Sequence, residues 1–220
     1  MPRIARAIAV NFPHHVIQRG NNREKIFFAQ TTRDKYLDWL KEYADIWDVK
    51  ILAYCLMTNH IHLLVRPNKP ESLAKMMQGL NVCYTRYINK RYKRTGRLLE
   101  GRYHSCIIDE EAYLWAVARY IEQNPLRARL VKELEDYPYS SARSHITGQA
   151  DEVLSEELIS ADEMADYTEF IKAPIPKNEI KQIRITTKKG KPLGDSDFIE
   201  MLEMKLKRCF GNKKSGRPRK

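Results

Sequence analysis

The spacing of apolar residues changes repeatedly along the first part of the chain, and the order of these changes is the strongest constraint on the fold. Period-two segments bounded by turn residues are typical of strands, whereas apolar residues three or four apart are typical of helices. The strand-like segments are residues 14–19, 50–57, 60–66 and 102–109, and the helix-like segments are residues 33–48, 71–92 and 110–124. This order, β-α-β-β-α-β plus a helix, predicts an α+β fold. We expect a ferredoxin-like (RRM-like) antiparallel sheet with helices on one face and a further helix after the sheet.

Charge is distributed unevenly over the 220 residues, which hold 39 Lys and Arg against 28 Asp and Glu. The net charge of +11 favours a polyanionic partner, with nucleic acid ahead of anionic membrane. The sequence predicts a compact structure up to about residue 145 and not beyond it. Residues 150–170 hold eight acids and no base, as expected of a solvated helix or of a DNA mimic. We favour the solvated helix. Three parts are predicted: a domain over 1–148, an acidic connecting segment over 149–175 and a basic DNA-binding tail over 176–220.

Several classes of protein are disfavoured by the sequence. No segment has the roughly 20 consecutive apolar residues that span a bilayer, and the first ten residues carry too many charges for a secretory signal. The cysteines are scattered without Cys-x-x-Cys spacing, which argues against a disulfide framework or a structural zinc site. A Gly-x-x-x-x-Gly-Lys-Ser/Thr loop for nucleotide phosphates is also missing. We expect a cytoplasmic protein with reduced thiols, no membrane association and no nucleotide cofactor.

Two histidines stand two residues apart on the third predicted strand. Residues at this spacing point to the same face of a sheet, so His60 and His62 would project together. Two adjacent imidazoles can bind a divalent metal and leave coordination positions open for substrate oxygens. A structural role for such a pair is the alternative interpretation.

The last predicted helix ends in Tyr120-Ile-Glu-Gln-Asn124 and is followed by Pro125. Tyr120 and Asn124 are four residues apart and share a helix face, and the proline favours a helix end at Asn124. A tyrosine hydroxyl can act as a covalent nucleophile when its charge is stabilised. The alternative is that the Tyr120 ring packs against the sheet as a structural residue.

Basic residues also cluster in two loops, one after the first strand and one before the fourth. Arginines beside glycine turns suit phosphate contacts, and aromatic residues can stack on unpaired bases. The candidate DNA-binding residues of these loops and of the C-terminal tail are Arg19, Asn21, Asn22, Arg23, Arg97, Arg102, Arg217 and Arg219. Solvated loops and a solvated tail are the alternatives.

Taken together, these segments resemble the single-tyrosine HUH (histidine-hydrophobe-histidine) transposases, specifically the IS200-like REP-associated tyrosine transposases. The matching segments are residues 16–23 (VIQRGNNR), 57–65 (MTNHIHLLV), 96–105 (GRLLEGRYHS), 119–128 (RYIEQNPLRA) and 137–141 (YPYSS). The resemblance covers roughly residues 10–148.

The resemblance implies a role for each matching residue. His60 and His62 would bind a catalytic Mg²⁺ or Mn²⁺, and Tyr120 would be the nucleophile. Asn124 matches a polar residue, often Gln in relatives, that completes the metal site. Asparagine is one methylene shorter than glutamine, so its carboxamide reaches less far from the helix.

The resemblance also implies an activity. The enzyme would cut single-stranded DNA beside the hairpin of a repeated extragenic palindrome (REP), form a covalent 5′-phosphotyrosine and transfer the strand in DNA transposition. Monomeric and homodimeric relatives are both known, and the sequence does not decide between them. Two alternatives stay open: a hairpin-DNA-binding protein that does not cleave, and a metal-dependent phosphoesterase without a covalent step, which would tolerate Tyr120→Phe.

Overall fold

The structure is a computed structural model that describes residues 6–211. Its strands are β1 (His14–Arg19), β2 (Val49–Met57), β3 (His60–Pro67) and β4 (His104–Ile107). Its α-helices are α1 (Gln30–Ile46), α2 (Ser72–Arg91), α3 (Glu110–Glu122), α4 (Asn124–Arg127), α5 (Ala142–Thr147), α6 (Met164–Lys172), α7 (Lys177–Lys189) and α8 (Ser196–Leu206). The predicted β-α-β-β-α-β order and the α+β class are confirmed, and each predicted end lies within three residues of the observed one.

The four strands form one sheet in the order β2-β3-β1-β4, with antiparallel pairing between all neighbours. Ile17 on β1 lies opposite His62 on β3, so their side chains share a face, whereas Gln18 points to the other face. Asn81 of α2 donates a hydrogen bond to Gln18, and α1 packs against α2. The Tyr120 ring of α3 contacts His62. Helices α1 and α2 therefore cover one face of the sheet, and α3 lies on the opposite face with the histidine pair.

Helix α3 ends at Glu122, two residues before the predicted Asn124. Pro125 has no N–H to bond the Ile121 carbonyl. The Asn124 side chain takes over this role, because its Nδ2 donates to the carbonyls of Tyr120 and Ile121 at 3.0 Å each. The same contacts hold Asn124 beneath the last turn of the helix that carries Tyr120.

The chain beyond residue 148 packs onto the domain, so the expectation that compact structure stops near residue 145 was wrong. Tyr167, Ile171, Ile183 and Leu193 are buried in the same core as the sheet residues. On α6 and α7, apolar residues recur at helical spacing between many charged residues. The charge composition of these segments therefore did not predict that the two helices pack on the domain. Residues 164–172 of the acidic segment form α6, a helix with a buried apolar side.

Between residues 6 and 211, no helix combines the length and the apolar character needed to cross a bilayer.

Candidate active site

A cleft of about 630 Å³ opens on the α3 face of the sheet, between the sheet, α3, α4 and α7. Seven predicted site residues line it: His60, His62, Tyr120, Asn124, Arg19, Arg23 and Arg102. Asn21 and Asn22 lie in a 3-10 turn (Asn21–Arg23) beside the cleft, and Arg97 is exposed on the loop before β4. Arg217 and Arg219 lie outside the described residues.

The two basic loops predicted from the sequence lie side by side at the rim of this cleft. The Asn21 amide donates to the Leu98 carbonyl at 2.9 Å, and the Glu100 amide donates to the Arg19 carbonyl at 2.8 Å. Gly20 between them has no room for a side chain, because a Cβ would lie 2.2 Å from the Glu24 carbonyl oxygen. The tight turn thus brings the arginines of both loops to one edge of the cleft.

His60 is held by the turn that joins β2 and β3. Asn59 Nδ2 donates to the Arg23 carbonyl at 2.8 Å, which orients the amide so that Oδ1 faces His60 Nδ1 at 2.7 Å. His60 Nδ1 is therefore the donor, and its Nε2 carries a lone pair.

His62 is held from the opposite direction by a second buried histidine. His62 Nδ1 lies 2.9 Å from His15 Nε2, and His15 Nδ1 lies 2.9 Å from Thr187 Oγ1. The two imidazole planes are nearly parallel, at 13°. Two successive contacts thus connect His62 on β3 with His15 on β1 and Thr187 on α7.

All three imidazoles are electrostatically biased towards the neutral form. Burial lowers the pKa of His60 to about 4, and the cations Arg19 and Arg184 contribute to this lowering. Burial also lowers the pKa of His15 to about 3. The pKa of His62 lies well below its ordinary value, first because of burial and then because of the neighbouring His60 and His15. Neutral imidazoles are the form that can bind a metal.

The donor set can offer two imidazole nitrogens to a divalent metal ion. His60 has a lone pair on Nε2, neutral His62 has a ring nitrogen able to bind a metal, and imidazole nitrogen suits transition metals better than it suits Mg²⁺. Within residues 6–211, no group of three or more His, Cys, Asp or Glu side chains could hold a metal ion. Asn124 lines the same cleft and could add its carboxamide oxygen, and water or a substrate could fill further positions.

Tyr120 lies across the cleft floor with only 2% of its surface exposed. Its ring meets His15 and His62 edge-on, with centroids 5.7 and 5.5 Å apart. Arg184 Nε donates to the Tyr120 hydroxyl at 3.3 Å. The arrangement places the Tyr120 ring beside His62 and a cation beside the phenol oxygen.

Arg127 covers the other side of Tyr120. Its guanidinium lies 4.6 Å from the Tyr120 ring centroid, and one nitrogen, Nη2, donates to the Tyr120 carbonyl and to Asn124 Oδ1 at 2.8 and 2.9 Å. Its Nε and Nη1 are buried without a hydrogen-bond partner in the described part of the chain. Unpaired buried donors are costly, so an anionic ligand at this position would be stabilised.

The residues of this site that were missed from the sequence include His15, Arg127, Thr187 and Arg184. The last two belong to α7, which was interpreted as part of a basic tail because of its charges. A signal for this helix was present, since Ile180, Ile183 and Thr187 recur at helical spacing before a C-terminal glycine.

A second groove, of about 360 Å³, adjoins the cleft along β4 and shares Arg102, His104 and Lys188 with it. Arg6 and Lys189 also line this groove. The Arg6 guanidinium stacks 3.6 Å from the Tyr103 ring centroid and donates to the Tyr103 carbonyl. The cleft and the groove together form a continuous basic surface.

An antiparallel sheet with a histidine pair on the face that carries the tyrosine helix is the arrangement that the sequence resemblance predicts for a tyrosine transposase. The chain belongs to the IS200-like transposase family, because the model of that family matches residues 9–124, more than half of the chain.

Two known proteins show how far the similarity extends. A Haemophilus influenzae protein named "Putative REP-associated tyrosine transposase" is 24% identical over 137 residues, which cover 52% of this chain and 77% of that protein. The solved structure of a REP-associated tyrosine transposase bound to a REP hairpin superposes with a TM-score of 0.56 at 16% identity. The match covers 73% of this chain and 94% of that one, and it supports the fold.

Proposed function

We propose that this transposase is a metal-dependent endonuclease and strand transferase for single-stranded DNA, with Tyr120 as its nucleophile. The observation that carries the proposal is the shared cleft, in which the Tyr120 hydroxyl, the two imidazoles and several arginines lie together. The cation beside the Tyr120 hydroxyl would stabilise the charge that develops on a nucleophilic oxygen.

The chain's own residues account for most of the reaction. The Tyr120 oxygen attacks the phosphorus of the scissile phosphate, the bond to the 3′ oxygen breaks, and that oxygen leaves with the phenol proton as a 3′-hydroxyl. The 5′ phosphate stays esterified to Tyr120, so its bond energy is kept for later attack by a 3′-hydroxyl. Arg184 stabilises negative charge on the attacking oxygen, and Arg127 offers its two unpaired nitrogens to the phosphate. His60 and His62 would hold a Mg²⁺ or Mn²⁺ ion, which would supply positive charge to polarise a phosphate oxygen.

Asn124 has a supporting role in this proposal. Its Oδ1 accepts one hydrogen bond from Arg127 and has a second lone pair available. Asn124 can therefore act as a third metal ligand or orient Arg127. In either role it would act on the proposed phosphate site beside Tyr120.

The proposed substrate is a DNA hairpin of the REP type with single-stranded flanks. The related solved structure is bound to a REP hairpin. In this chain, Arg19, Arg23 and Arg102 line the cleft, and the adjoining groove extends the cationic surface. Arginines along a groove neutralise backbone phosphates, as a single-stranded flank requires.

Covalent capture tests this function directly. The full-length protein is incubated with labelled single-stranded oligonucleotides from both flanks of its own gene, with Mn²⁺ or Mg²⁺ and with a chelator control. We expect a denaturation-resistant adduct that disappears with the chelator. Hairpin binding without an adduct in any metal would contradict cleavage and would favour the alternative of a non-cleaving, hairpin-binding protein.

Arg184→Gln is expected to slow single-turnover cleavage about 10²-fold, the usual effect of losing one positioned donor at a site of developing charge. Arg184 is exposed, so the fold should persist. Lys181→Gln is the matched control, because it removes one exposed cation from the same helix outside the cleft. Equal cleavage rates for Arg184→Gln and the control would remove Arg184 from the mechanism.

The tail arginines Arg217 and Arg219 are predicted to contact phosphates, and their contribution is measurable without disturbing α7. A plot of log Kobs against log salt has a negative slope, and each phosphate that a protein neutralises on a single strand makes it steeper by about 0.7. Replacing both arginines with glutamine should therefore make the slope shallower by up to about 1.4. The measurement is hairpin binding across a salt series. The control variant carries Lys35→Gln and Lys41→Gln, which remove the same charge from α1 on the face of the sheet opposite the cleft. If the tail variant and this control have equal salt slopes, the proposed role of the tail is contradicted.

A further inference from the structure

We propose that Thr187 of α7 is a positioning residue for the catalytic centre. Acting through His15, it sets the imidazole tautomer in which His62 presents its Nε2 to the cleft. The proposal rests on the metal-binding role proposed above for His62. It makes a helix outside the β-α-β-β-α-β unit part of the active site.

The first step is that Thr187 has one hydroxyl proton, and that proton is committed. Thr187 Oγ1 donates to the Ile183 carbonyl at 2.8 Å, one turn earlier in α7. Towards His15 the hydroxyl can therefore only accept. Because His15 Nδ1 lies 2.9 Å from the same oxygen, His15 must carry its proton on Nδ1.

The second step passes this constraint to His62. A neutral His15 protonated on Nδ1 has a lone pair on Nε2. His62 Nδ1 lies 2.9 Å from that atom and must donate to it. A neutral His62 protonated on Nδ1 then has its lone pair on Nε2, which is the nitrogen left for the cleft.

Burial restricts the hydrogen-bond partners of this relay, the chain of contacts from Thr187 through His15 to His62. His15 and Thr187 are completely buried and His62 is 2% exposed, so water does not offer alternative partners. The other tautomer of His62 would place two lone pairs against each other across the His15 contact. Cys106 Sγ lies 3.2 Å from Thr187 Oγ1 and leaves the assignment unchanged, because the hydroxyl can accept from both groups.

The Thr187 hydroxyl is not needed to hold α7 in place. The start of the helix is anchored by Arg119, which is buried on α3 and pairs with Glu179 at 2.9 Å. After the helix, Leu193 exchanges backbone hydrogen bonds with Ile107 and Asp109 at 2.8 Å each. A valine at position 187 would fill the same space, so a hydroxyl buried at this point is explained better by its contact with His15 than by packing.

The test compares Thr187→Val, which keeps the shape and removes the acceptor, with Thr187→Ser, which keeps the hydroxyl. The readout is the Kd for Mn²⁺ in the absence of DNA, measured by electron paramagnetic resonance on the full-length protein. We expect Thr187→Val to weaken Mn²⁺ binding at least tenfold and Thr187→Ser to stay within about twofold. Thr186→Val, a change of the same kind one residue earlier, should also leave the Kd unchanged. Equal Mn²⁺ affinity in Thr187→Val and the wild type would overturn the proposal.

A second measurement uses the unsubstituted, metal-free protein and does not depend on any variant folding. Imidazole ¹⁵N NMR should find both His15 and His62 protonated on Nδ1 and unprotonated on Nε2. A His62 protonated on Nε2 would refute the relay. If the wild type shows the expected tautomers and binds no Mn²⁺, the relay stands while the metal role of His62 fails, which separates the two proposals.

Discussion

Replacing Tyr120 with phenylalanine is expected to abolish the covalent DNA adduct and to lower the cleavage rate by at least about 10³-fold. The substitution removes the proposed nucleophilic oxygen, and a phenyl ring cannot form the phosphate ester. The fold should be unaffected, because the ring keeps its edge contacts with His15 and His62 and the hydroxyl loses one long hydrogen bond, from Arg184 at 3.3 Å. Hairpin affinity should change little, since the contacts with DNA proposed above come from arginines.

The matched control for this experiment is Tyr113→Phe. Tyr113 lies on the same helix and its hydroxyl also meets a residue of α7, accepting from Gln182 at 3.5 Å. It lies outside the cleft. We expect wild-type cleavage and adduct formation in this variant. Metal-dependent cleavage that survives Tyr120→Phe would instead identify a phosphoesterase without a covalent step, the third function considered for this chain.

The sequence alone was sufficient to predict the elements that bring His60, His62 and Tyr120 together. Strand alternation put both histidines on one face, and helical spacing put Tyr120 and Asn124 at one helix end. The strand register and the contact between Tyr120 and His62 agree with both predictions. These features are local, so they are encoded within a few residues of each other.

The supporting residues were not predictable in the same way, because their contacts are distant in sequence. His15 meets His62 across 47 positions and Thr187 across 172. A buried histidine on a strand has no local signal that distinguishes it from other core residues. Arg184 and Thr187 had a further disadvantage, since the many charges of their segment favoured a solvated tail over an amphipathic helix that packs on the sheet.

Glu122→Ala is expected to cause the largest loss of stability among single substitutions near the site, about 3–5 kcal/mol in the free energy of unfolding. The Glu122 carboxylate is completely buried at the end of α3, and three side chains donate to it. They are His145 Nδ1 at 2.7 Å, the Tyr167 hydroxyl at 2.9 Å and the Ser141 hydroxyl. Removing the Glu122 carboxylate leaves all three buried donors without their acceptor and also leaves a cavity. Both effects lower the free energy of unfolding.

The consequences of Glu122→Ala would extend to function, because the network joins α3 to α5 and α6 two residues after Tyr120. At this chain length, a loss of that size lowers the Tm by about 10 °C. Urea unfolding should show the loss of stability, while Glu111→Ala, an exposed glutamate on the same helix, should stay within about 0.5 kcal/mol of the wild type. Tyr167→Phe removes one donor and keeps the acceptor, so it should cost less than Glu122→Ala. A Glu122→Ala protein within about 1 kcal/mol of the wild type would show that the three donors find other partners and that the tyrosine helix is held by apolar packing alone.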